Sequence, residues 1–131
     1  LEEQMGFFYI SDEVSVDGWE RSEDIAMLVA GGDIDYDASP QLRERLADQI
    51  HSGARRLVLD LSKVTFIDST AIGVLVGAVM RLHEEGGGSL AVVCSEENRR
   101  VLRIFEIAGV DSLIALHRSR EEALLELTTA S

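Results

Sequence analysis

A chain of 131 residues suits one domain with one core, and 46% hydrophobic against 27% charged residues is the balance of a folded globular chain rather than a disordered one. The formal net charge of −12, from 24 acidic and 12 basic side chains, repels phosphate backbones and anionic headgroups, so neither nucleic acid nor a membrane is an expected partner. Cys94 is the only cysteine, which excludes an internal disulfide and a two-cysteine redox motif.

The first residues carry no basic start or cleavage site of a signal peptide, and 1–4 read as an expression remnant ahead of a native Met5. No apolar stretch approaches the roughly 20 residues needed to cross a bilayer, so the cytoplasm is the expected compartment. Phe7, Phe8, Tyr9 and Ile10 suit a strand or an appended arm, and Val14, Val16 and Trp19 suit a first edge strand. Residues 1–13 are therefore set apart as an N-terminal extension or remnant, with one domain over 14–131. The apolar run 25–30 is long enough for a buried strand and too short for a helix, and Gly31-Gly32 is expected to end it.

Residues 33–39 read as an acidic loop. Ser39-Pro40 is a helix start, with the serine hydroxyl as cap and proline where no hydrogen bond is lost. Leu42, Leu46 and Ile50 recur every four residues, and Gly53 closes that helix. Leu57-Val58-Leu59-Asp60-Leu61 predicts a central strand, 68–85 a helix stopped by Gly86-Gly87-Gly88, and 90–93 another strand. Ser95 is expected to cap a helix to about Ala108, followed by Gly109. A short strand at 113–116 and a Ser119/Glu122 capping box before a last helix complete the chain. Strands alternating with helices imply an α/β fold: a mostly parallel sheet of four to five strands, about four covering helices, and an antiparallel edge strand near the N-terminus.

Most chemistry finds no foothold. His51, His83 and His117 are scattered without metal-ligand spacing, so no metal is expected. Ser69 has no elbow motif and no histidine nearby in sequence, and no base, nucleophile and anion site converge, so the chain does not read as an enzyme. The glycine triplet follows a helix and precedes a strand, the reverse of a phosphate loop, and no cofactor is expected. A receiver-type phospho-acceptor could use Asp33 and Asp35 with Asp60 or Asp68, but no lysine follows a late strand and the two-strand start is wrong for it. Arg99, Arg100 and Arg103 form the densest basic cluster, and helical spacing spreads them over two faces as solvated surface.

The segment 58–79 stands out. A buried strand leads through a short apolar loop into Asp68-Ser69-Thr70, where a helix begins. Asp68 is a natural N-cap, and the first turn carries unpaired N–H groups and a partial positive charge. At 100° per residue Ile72, Leu75, Val76, Val79 and Leu82 share a core face. The opposite face holds Thr70, Val74, Gly77, Ala78 and Arg81, with Gly73 at its margin, where Lys and Glu would be usual. That small apolar face is either buried by another element of the chain or a landing pad for a partner. Its glycines cost about 1 kcal/mol each in helix propensity. A phosphate on Ser69 would place about −1.5 to −2 charges beside Asp68 and the pad, disturbing a docked partner without altering the backbone.

Here the sequence resembles the STAS-domain family, specifically the bacterial anti-sigma factor antagonists. The resemblance rests on Gly32-Asp33-Ile34-Asp35, the strand 57–61, Phe66-Ile67-Asp68-Ser69-Thr70-Ala71-Ile72-Gly73-Val74-Leu75, and Phe105-Glu106-Ile107-Ala108-Gly109-Val110. It implies partner switching. The unphosphorylated protein would bind an anti-sigma factor that is also a serine kinase, freeing a sigma factor for stress or sporulation genes. The kinase would phosphorylate Ser69, and a serine phosphatase would reset it. Asp35 would help contact the kinase, and Thr70 is the less favoured acceptor. The sequence departs from the family pattern at Ala71, where glycine is common, and in its N-terminal segment, which could be an arm or a homodimerisation element. The family also includes accessory or scaffold subunits of transport and stress-signalling assemblies, the alternative role.

Overall fold

A computed structural model describes residues 8–13, 15–16, 19–20 and 24–129. Its elements are β1 (Phe8–Glu13), β2 (Ser15–Val16), β3 (Trp19–Glu20), β4 (Ile25–Ile34), α1 (Ser39–His51), β5 (Arg56–Ile67), α2 (Ser69–Glu84), β6 (Ser89–Val93), α3 (Arg99–Ala108), β7 (Ala115–His117) and α4 (Arg120–Thr129). Five strands form one sheet in the order β1-β4-β5-β6-β7, in which β1 runs antiparallel to β4 and the other pairs are parallel. This is the α/β architecture that the alternation of patterns predicts.

Strand alternation divides the interior. Ala26, Leu28, Leu57, Leu59, Leu61, Leu90 and Val92 belong to the large core built with α1, α2 and α3. Met27, Val58, Ala91 and Val93 face the other way and pack with Ala123 and Leu127 of α4. Asp60 shares that second face. Its buried carboxylate pairs with Arg120 at the start of α4 and also accepts the N–H and hydroxyl of Ser62.

Several local expectations change. The sheet's edge strand is β1, inside the segment set apart as an extension; Ser15–Val16 and Trp19–Glu20 instead form a separate two-stranded pair, and Val14 lies outside the described residues. β4 does not stop at Gly31-Gly32 but runs to Ile34 through register shifts there, with Gly32 at φ 85°. The ring of Tyr9 lies over Gly31, and a Cβ at that position would fall 2.4 Å from it, so a larger residue there would have to displace the ring. The strand expected at 57–61 extends to Ile67. Ser95 does not cap α3; Asn98 does, accepting the Val101 N–H while its amide donates to Val64 O at 2.6 Å. Ser119 accepts the Glu122 N–H, and the Glu122 carboxylate accepts from Arg118 N–H, one residue before the usual capping-box donor. No helix among the described residues is long and apolar enough to cross a membrane.

Candidate functional site

β4 and β5 are neighbours whose last paired residues are Ile34 and Ile67, and the Asp68 N–H donates to Ile34 O at 3.2 Å. The chain therefore delivers Asp35 and Asp68, each one residue past its strand, to the same edge of the sheet. Ligands of open parallel sheets gather at this carboxyl edge because helix N-termini point there.

Asp68 is the N-cap of α2. Its backbone is extended (φ −114°, ψ −179°), and Oδ1 accepts the Ala71 N–H at 3.1 Å. The Ser69 and Thr70 N–H groups have no partner among the described residues and remain available at the positive end of a 16-residue helix. Ser69 is exposed, and its hydroxyl makes no hydrogen bond among the described residues; Thr70 beside it is half-buried.

Asp35 has a structural role at the start of α1. Its Oδ1 accepts the Ala38 N–H at 3.0 Å, and its carbonyl accepts the Ser39 N–H and hydroxyl. Ser39 is thus not the capping acceptor expected from sequence. It is buried as a donor, and Ala38 at the N-cap position offers no side-chain cap. Tyr36, next to Asp35, is among the most exposed large hydrophobic residues described.

The helix face expected to be either pad or core is buried in part and exposed in part. Val74 (6% exposed) and Ala78 (8%) are buried in the main core, and α1 packs along that side of α2. Leu46 and Ile50 of α1 belong to the same core and line the same groove as Val74 and Ala78. Gly73 and Gly77 are exposed, and a Cβ at either would meet nothing within 4 Å. They line an α1–α2 groove of about 270 Å³ with Arg43 and Arg81 on its walls. The open strip of α2 is therefore Ser69, Gly73, Gly77 and Met80, with Val76 half-buried at its margin. Sequence reasoning missed Met80, 59% exposed, because it lies between the two faces considered. The strip is rotated from the expected pad, and it runs directly from Ser69 along the helix.

No group of three or more His, Cys, Asp or Glu side chains among the described residues is placed to hold a metal ion. Cys94 is buried at the end of β6. Loss of hydration pushes its thiol above the ordinary range, the Asp60 charge adds to this, and Arg118 opposes it.

A family model described as STAS domain matches residues 19–123. The chain is 33% identical over 108 residues to an anti-sigma-B factor antagonist of Bacillus subtilis, covering 82% of this chain and 94% of that one. It is similar in fold to an anti-sigma factor antagonist from Mycobacterium paratuberculosis, with TM-score 0.74, 23% identity, and 92% and 95% of the two chains covered. It is also similar to the anti-sigma factor antagonist SpoIIAA in its unphosphorylated form, with TM-score 0.70, 18% identity, and 92% and 99% covered. A structure of the Bacillus cell fate determinant SpoIIAA in the phosphorylated form aligns with TM-score 0.59 at 14% identity, over 88% and 98% of the chains.

Proposed function

The chain belongs to the STAS-domain family, and we propose that it is an anti-sigma factor antagonist whose hold on its partner is released by phosphorylation of Ser69. The partner in this reading is an anti-sigma factor with serine kinase activity, and a serine phosphatase restores the binding form. The chain itself is a regulated binding module rather than an enzyme. The observation that carries the reading is an exposed hydroxyl with unpaired N–H groups beside it, at the head of an exposed strip of small and apolar residues.

The physics of the switch is local. Ser69, Gly73, Gly77 and Met80 give a partner close approach to the α2 backbone, with Thr70, Asp68 and Asp35 at the rim. A phosphoryl group adds about −1.5 to −2 charges at pH 7 where the helix end tolerates an anion, so the fold persists. It also stands next to the Asp68 carboxylate and brings a hydration shell into the docking surface. A partner seated there loses contact area and meets added negative charge.

The test is phosphorylation by the cognate serine kinase with ATP, followed by mass-spectrometric mapping. One phosphate on Ser69, absent in Ser69→Ala, is the expected result. A phosphate on another residue, or one that persists in Ser69→Ala, would end this assignment.

A further inference from the structure

Five arginines are engaged by carboxylates among the described residues: Arg45 with Asp12, Arg55 with Glu85, Arg56 with Asp24, Arg118 with Glu96, and Arg120 with Asp60. Lys63, Arg99, Arg100 and Arg103 have no such partner among the described residues, and all four are exposed. They come from two elements, β5 and α3, which pack together and are tied by the Asn98–Val64 hydrogen bond. Lys63 and Arg100 line one open groove of about 440 Å³, and Arg100 and Arg103 line another of about 240 Å³ with Phe66, Ile67 and Ile104. Among the described residues, Glu97 is the only carboxylate lining either groove.

Two features make this more than solvated surface. Arg99 and Arg100 occupy the first turn of α3, where no acidic residue stands and the helix dipole disfavours cations. In a chain of net charge −12, acids are abundant in composition, yet among the described residues none forms an ion pair with these cations. Beside the cations Phe66 is 39% exposed and Ile104 is half-buried, so the second groove joins an apolar floor to two guanidinium groups. Guanidinium pairs recognise carboxylates by bidentate hydrogen bonds, and an aromatic floor receives an apolar side chain.

We infer that Lys63, Arg99, Arg100 and Arg103, with Phe66 and Ile104, form a docking surface for an acidic polypeptide segment that also carries apolar residues. A long polyanion such as a nucleic acid fits less well, because the acidic remainder of the chain repels whatever extends beyond the patch. A short acidic segment can be confined to the two grooves. The surface lies outside the Ser69–Met80 strip and needs no phosphoryl group, so it stands or falls separately from the proposed switch.

The probe is a fluorescently labelled synthetic peptide of repeated Glu-Glu-Leu-Glu units, titrated with the full chain and followed by anisotropy, with amide shifts recorded by NMR. Binding is expected to perturb residues 63–66 and 99–104 and to weaken as salt rises. It should fall at least about tenfold in the variant combining Arg99→Gln, Arg100→Gln and Arg103→Gln, and also in Phe66→Ala. The triple variant should melt like the native chain because the replaced groups have no internal partner; if it melts early, Lys63→Gln and the shift map on the native chain decide instead. The inference is overturned if the peptide does not bind, if it binds the variants unchanged, or if the shifts map elsewhere. Tighter binding of single-stranded polynucleotide or phosphatidylserine vesicles at the same residues would also overturn it.

Discussion

At the scale of single residues, two aspartates do different work. Asp68 caps α2 through the Ala71 N–H, and Asp68→Ala should cost about 1 kcal/mol in urea unfolding, the usual value of an N-cap. Asp60 is buried, pairs with Arg120 and accepts the Ser62 N–H and hydroxyl, so Asp60→Ala removes the buried ion pair and both hydrogen bonds and should cost on the order of 3 kcal/mol. That difference separates a surface cap from an interior ion pair. Ser69 contributes little to stability because its hydroxyl has no partner among the described residues. Ser69→Asp should therefore leave the melting midpoint nearly unchanged while weakening binding to the proposed kinase partner by about 1–3 kcal/mol in calorimetry. Equal affinities for the serine and aspartate forms would remove the electrostatic basis of the proposed switch.

At the scale of the element, α2 has an exposed strip and a buried face side by side. Gly77 faces open space, so Gly77→Glu should block docking on the strip without lowering the thermal midpoint. Ala78, one residue on, is packed in the core, and Ala78→Glu should lower stability by on the order of 3 kcal/mol because an unpaired carboxylate must be buried or the helix displaced. Paired thermal melts and binding assays on the two variants check the division directly. If both melt normally, α1 does not cover Ala78 as described. The apolar composition of this face shows that it avoids water, but it does not say whether α1 or another protein covers each position.

At the scale of the whole molecule, the two faces of the sheet are covered unequally: α1, α2 and α3 on one and α4 on the other. Cys94 is buried within the larger core, and its raised thiol pKa ties stability to pH. An unfolded thiol ionises near about pH 8.5, whereas the folded thiol holds its proton to higher pH. The stability this contributes is whole below about pH 8.5 and is lost as pH rises through the folded value. Urea midpoints should accordingly fall more steeply with alkaline pH in the native chain than in Cys94→Ala. In the native state Cys94 should resist thiol reagents and react at the rate of unfolding.

The sequence alone determined what depends on neighbours along the chain. The order of strands and helices, the Asp68 cap, the glycine stop after α2 and the Asp68-Ser69-Thr70 segment follow from periodicity, capping chemistry and the motif, all local properties. Gly31-Gly32 misled because glycine usually breaks a strand, whereas here Tyr9 lies over Gly31 and β4 continues. Ser39 and Ser95 misled because a good capping side chain was present in each case and a better-placed acceptor, Asp35 or Asn98, stood a few residues earlier or later. Tertiary structure alone decided that α1 covers Val74 and Ala78, that Asp60 meets Arg120, and that Lys63 joins the α3 arginines. Each joins residues far apart in sequence, and the helical or strand period specifies which way a side chain faces but not what it meets.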